Sequence, residues 1–235
     1  MDGWISHRSK LTRMELSWTT MQPESVSPTR RSNDFMGPFC FVRFRIRLPH
    51  YPYLVPGFHI HGPDGTPCLY VKHTPQRRRM EFAMFLDQFD TQPLVSLTAC
   101  GESASAGSPV TVDIRDARTD RPLCSVKKRR FTSVLRNTWD ICDTEEHPIG
   151  IMREQGLPLV HRVFRSLSTL HHIEADGKIA ATIFKDTGPE TPEYDIDLSD
   201  SDGRIDAKMV LACSILVAAD DARRELVKGD YHVAR

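Results

Sequence analysis

No two of the six cysteines form a CxxC pair; Cys40, Cys68, Cys100, Cys124, Cys142 and Cys213 stand far apart along the chain. That spacing argues against a thiolate metal site, and the apolar runs around most of them suit thiols that pack as small hydrophobes. Reduced core cysteines in a cytoplasmic protein are the expectation. Net charge is missing too: 31 basic residues cancel 31 acidic ones, so no global field favours nucleic acid or an anionic membrane, and such binding needs a local patch. No apolar run of about 7–15 residues follows a basic start, so no secretory signal is expected. No stretch reaches the ~18–20 apolar residues of a membrane-spanning helix. The sequence also lacks a phosphate-binding glycine loop and an HExxH motif, and "GESASAG" at 101–107 does not read G-x-S-x-G. That segment is expected to be a loop, and the protein is expected not to be an enzyme.

What is present is a repeated theme. Residues 1–37, with "TTMQPESVSPTRRSNDF", are polar and aperiodic, as in a flexible tail, and the fold is expected to begin near Pro38. From there short apolar runs alternate with polar turns in "FHIHGPDGTPCLYVKH" (58–73), "FAMFLDQFDTQPLVSLTA" (82–99), "VTVDIRDARTDRPLCSVKK" (110–128), "WDICDTEEHPIGIMRE" (139–154) and "HHIEADGKIAATIFKD" (171–186). These read as five β-hairpins. Pro63-Asp64-Gly65 and Asp176-Gly177 place Gly where a positive φ is needed and Asp where its side chain bonds the turn; the other three turns lack Gly and read as longer loops. Alternation puts Val110, Val112 and Ile114 opposite Thr111, Asp113 and Arg115, and Phe44 and Ile46 opposite Arg43, Arg45 and Arg47.

Near the end, residues 209–219 carry no charge and only Ser214 is polar. A helix that is apolar all round is either in lipid or enclosed by protein. Eleven residues rise only about 16 Å, half a bilayer core, so enclosure is expected, with Met209, Val210, Leu211, Ile215, Leu216 and Val217 filling the fold.

The hairpin "IHGPDGTPCLYVK", the "WDI" strand at 139–141, the late "ADGKIAATI" hairpin and the closing "YDIDLSDSDGRIDAKMVLACSILVAA" resemble the tubby C-terminal-like superfamily, in particular its phospholipid scramblase-like and LURP-one-related branches. The likeness covers about residues 39–226. It implies a mainly β fold: a closed antiparallel β-barrel of about twelve strands around a central hydrophobic C-terminal helix. The expected organisation is a tail at 1–37, a barrel domain at 38–228 with its helix at about 207–219, and a short tail at 229–235. A Pro-rich N-terminal region and a cysteine-rich palmitoylation stretch, typical of scramblases, are absent.

Two stretches compete for a functional role. The resemblance to scramblases implies a Ca²⁺ region before the helix, where Asp195, Asp197, Asp200, Asp202 and Asp206 offer the oxygen ligands Ca²⁺ needs. An EF-hand does not fit, because aligning Gly203 with its sixth position puts Leu198 first and Met209 twelfth. The plainer reading places Tyr194, Ile196 and Leu198 inside, Asp195 and Asp197 in water, Asp200–Gly203 in a turn and Asp206 as the helix cap. The second stretch, "RPLCSVKKRRFTSVLR" (121–136), holds six basic residues and no acid; "KHTPQRRR" (72–79) adds four. Tubby domains hold phosphoinositide headgroups on cationic barrel surfaces, and Lys127, Lys128, Arg129 and Arg130 form a candidate patch of that kind, against a solvated charge run as the alternative. The histidine pairs His59/His61 and His171/His172 lack further ligands at metal spacing.

The function expected from these features is non-catalytic binding of an anionic, phosphoinositide-type phospholipid surface by a cytoplasmic protein, peripheral at the membrane. The alternatives are a LURP-like module that binds a protein partner and, further off, a Ca²⁺-dependent scramblase. No cofactor beyond a weak Ca²⁺ is implied, and no nucleic-acid partner.

Overall fold

The computed structural model describes residues 37–48, 57–76, 79–100, 110–129, 137–156, 168–186 and 192–233, without the side chains of 75–80 and 223–233. The tail expected at 1–37 lies outside these residues but for Gly37, as do the loop at 101–107 and Arg130.

After a 3₁₀ turn at Pro38–Cys40 come twelve strands: β1 (Arg43–Arg47), β2 (Gly57–His61), β3 (Pro67–Gln76), β4 (Arg79–Phe85), β5 (Val95–Cys100), β6 (Thr111–Asp116), β7 (Arg121–Lys128), β8 (Thr138–Cys142), β9 (Pro148–Gln155), β10 (Thr169–Ala175), β11 (Lys178–Asp186) and β12 (Glu193–Asp197). One helix, α1 (Ala207–Val233), follows. Each strand pairs antiparallel with the next, and β12 pairs with β1 to close the ring. Closure gives each described strand a neighbour on both sides, which protects the sheet from edge-to-edge aggregation.

All five expected hairpins form, as β2–β3, β4–β5, β6–β7, β8–β9 and β10–β11. The first turn closes as its sequence demands: Asp64 Oδ1 accepts from the Thr66 amide at 3.0 Å and hydroxyl at 2.7 Å, and Gly65 sits at φ 79°. Asp176 and Gly177 take φ 51° and 71°, the two left-handed positions of a type I′ turn. In the turns without Gly, Asp120 and Glu146 occupy that region instead, at φ 52° and 67°. Four hairpins carry a register shift close to the turn, at Ile60/His61, Ile114/Arg115, Ile141/Cys142 and Ile173/Glu174. Such bulges increase local twist and curl a sheet toward closure.

Period-two alternation fills the interior, with Phe44, Ile46, Ile60, Leu69, Val71, Leu97, Val112, Ile114, Ile141, Met152, Ile173 and Ile183 all buried against α1 in one core. From Val210 to Ala218 the helix is enclosed on every side: each of these residues is buried, far more than one face. At roughly 1.5–3 kcal/mol per large apolar side chain buried, this axis is the main reason the ring closes. Ser214, the one polar residue within, donates its hydroxyl to the Val210 carbonyl at 2.9 Å, which removes the need for a partner elsewhere. Asp206 caps the helix, accepting the Lys208 amide at 2.7 Å.

The helix does not stop near 219. It runs on to Val233, into the segment 229–235 expected to be a C-terminal tail. Apolarity marked only the enclosed part; the Ala, Arg, Glu, Leu and Lys residues that follow are good helix formers and continue it.

Candidate binding face on the barrel wall

Strand β1 reads RFRIR and strand β12 EYDID. Alternation sends Phe44, Ile46, Tyr194 and Ile196 inward and leaves three arginines and three acids on the outer wall. Register then places them opposite one another: Arg43 faces Asp197, Arg45 faces Asp195 and Arg47 faces Glu193. Each guanidinium offers its Nε edge, at 3.1 Å from Asp197, 2.6 Å from Asp195 and 2.9 Å from Glu193. A column of cations therefore runs beside a column of anions.

The next strands extend the rows. Phe184 on β11 lies opposite Asp195, and Thr182 opposite Asp197. His61 on β2 lies opposite Arg45, its Nδ1 donating to the Gly65 carbonyl at 3.0 Å. With the 62–65 turn as a rim, these side chains line a recess of about 680 Å³. Phe184 is 41% exposed there, a large aromatic on the outside of a barrel that has apolar space within.

Electrostatically the wall is settled. Hydrogen bonding and charge from Asp195 raise Arg45 above its ordinary range. Partial burial pushes Asp197 up, but hydrogen bonds from Ser199 and the charge of Arg43 outweigh it and hold the carboxyl below its usual value. Exposed ion pairs of this kind contribute only ~0–1 kcal/mol each.

The five aspartates before the helix fall into separate roles. Asp195 and Asp197 belong to the wall. Asp200 and Asp202 lie in the turn, where Asp202 pairs with Arg204 at 2.7 Å and takes φ 47°. Asp206 caps α1. Among the described residues no three His, Cys, Asp or Glu groups come together to hold a metal ion. His59 and His61 share the outer face with ring centres 6.3 Å apart; His171 is buried at 2% while His172 points outward.

The basic run on β7 also divides. Lys127 and Arg129 point outward, to Glu146 at 3.2 Å and Asp140 at 2.7 Å; the hydrogen bond to Asp140 raises Arg129 above its ordinary range. Lys128 follows the inward parity of Cys124 and Val126. Its Nζ donates to both carboxylate oxygens of Asp220 on α1 at 2.9 Å and lies 4.8 Å from the Trp139 ring centre.

Lys128 thereby reveals a feature the sequence reading missed. Where α1 leaves the barrel, Lys128 and Lys185 from the ring meet Asp220 and Asp221 from the helix; Lys185 lies 3.2 Å from Asp221, which also accepts the Tyr194 hydroxyl at 3.2 Å. Buried Glu154 and His171 face each other across β9 and β10 at the same end. At the entrance, Lys208 pairs with Asp116. From Lys208 to Asp220 the helix rises about 18 Å, and β7 from Arg121, the partner of Asp116, to Lys128 rises about 23 Å. The ion pairs thus pin both ends of a smooth apolar cylinder, fixing its rotation and its depth.

Comparison with family models, with curated proteins and with solved structures finds no match. Among the described residues no helix is long and apolar enough to cross a membrane.

Proposed function

We propose that the chain is a non-catalytic, tubby-like binding module that works from the outside of its barrel, and that its partner is a protein. The observation that carries this reading is the composition of the β1/β12 wall. Among the described residues the interior is packed around α1, whereas the outer recess combines arginines with an equal number of acids and an exposed Phe184. Arginine and aromatic residues are enriched at protein interfaces. A membrane patch needs an excess of positive charge, and here each wall arginine stands beside its own acid.

A second reading, binding of an anionic phospholipid surface, is favoured by one observation: Lys127 near the end of β7 and Arg129 just past it both point outward, directly before the basic segment that holds Arg130 and Arg136. Flotation of the full chain with phosphatidylserine and phosphoinositide vesicles separates the two. The protein reading predicts that the chain stays at the bottom of the gradient. Vesicle-bound protein that is released by replacing Lys127, Arg129 and Arg130 with alanine would overturn it in favour of the lipid.

A further inference from the structure

We propose that the β1/β12 wall binds a second copy of this chain, as an isologous pair whose two-fold axis runs parallel to the strands between β1 and β12. This rests on the reading of the wall as a protein-binding face and names the partner.

An isologous contact requires a patch that is complementary to itself. Most mixed-charge surfaces are not, because rotation brings like charge onto like. On this wall the two signs are segregated into columns on adjacent strands, with Arg43, Arg45 and Arg47 on β1 and Asp197, Asp195 and Glu193 on β12. A half-turn about the line between them lays the arginine column of one copy over the acid column of the other, level for level.

The same rotation exchanges β11 with β2. Phe184, opposite Asp195, then meets the second copy's His61, opposite Arg45. An exposed phenyl ring thus finds an imidazole, and the recess that isolates it is filled.

The existing ion pairs do not stand in the way. Each arginine engages its own acid through Nε, and a guanidinium carries five N–H donors, so it can also donate to the second copy's carboxylates while the first contacts persist. Covering the columns also lowers the local dielectric, so the attraction within each pair grows as the charges lose part of their hydration.

The face is small. Four strands about 4.8 Å apart and five residues long span roughly 19 by 17 Å, less than the ~800 Å² per partner of a standard interface. The dimer is accordingly weak and reversible, formed at high local concentration.

Sedimentation velocity of the full 235-residue chain tests this across about 5 to 500 μM, the range such a face requires. The expected result is a shift from monomer to dimer. Arg45→Asp or Asp195→Arg alone weakens association at least about tenfold, since each sets like charges against each other, and combining the two restores it. Phe184→Ala, at an exposed position, also weakens it, while Lys127→Ala with Arg129→Ala leaves it unchanged; matching melting temperatures show that the variants fold. A chain that is monomeric throughout, or a dimer indifferent to the wall substitutions, overturns the proposal. Monomeric behaviour together with no vesicle binding removes the second copy but leaves the wall as a face for another protein; vesicle binding through β7 removes the underlying reading itself.

Discussion

Lys128 on the seventh strand places its ammonium 2.9 Å from both carboxylate oxygens of Asp220 on the central helix, 92 residues away in sequence. The pair lies where the helix leaves the barrel, with side chains only 18% and 12% exposed. Buried pairs are poor net stabilisers but severe penalties when halved, because the remaining charge is left without its partner.

Removing one member is therefore far worse than removing both. Asp220→Ala is expected to lower stability by about 3 kcal/mol, and Lys128→Met combined with Asp220→Leu to recover most of that loss. Urea unfolding followed by tryptophan fluorescence measures it. Equal losses in the single and double variants would mean that the pair does not hold the helix in place.

At the other end of the helix, Asp116 provides a pH signature. Its hydrogen bond from Lys208 drops the carboxyl pKa to about 2, below the ~3.9 of an unfolded chain. A depressed carboxylate stabilises the fold fully above its unfolded pKa and loses that contribution as pH falls toward the folded value. Wild-type stability should therefore fall by roughly 1–2 kcal/mol between about pH 4 and pH 2 from this group. In Asp116→Asn that part of the acid limb should flatten, as read from melting temperature against pH.

The six free cysteines should sort by position when titrated with a thiol reagent in the native state. Cys40 and Cys100 are exposed, whereas Cys124, Cys142 and Cys213 are buried. Burial pushes the Cys68 thiol up to about 11, the Cys124 thiol up to about 12, and Cys213 far above its ordinary value. Two fast-reacting thiols are expected, with the rest released by denaturant, because the thiolate is the reactive form. Fast modification of Cys213 would mean that the helix is not enclosed.

Much of this architecture is legible in the sequence because it is local. Alternation in "RFRIR" and "TVDIR" fixes which side chains face inward, and Asp-Gly fixes the Asp176-Gly177 turn. The uncharged run at 209–219 marks the enclosed part of the helix for the same reason. The candidate face was less legible. Arg43, Arg45 and Arg47 stand out in the sequence, but their acids lie about 150 residues on, at 193–197, and come alongside only because β12 closes onto β1. The inward turn of Lys128 was readable from the parity of Cys124 and Val126. Its partner Asp220 was not, since nothing local relates a strand end to a helix exit.

Nuclear magnetic resonance of the full chain with ¹³C-labelled phenylalanine, followed as concentration rises, reads out whether the wall is the face at which copies meet. Phe184 lies on the wall at 41% exposed, and Phe44 lies behind it at 2%. The ring signal of Phe184 should move progressively while that of Phe44 stays fixed. A Phe184 signal that does not move at any concentration, while other surface signals do, would place self-association elsewhere and rule out the β1/β12 wall as the contact face.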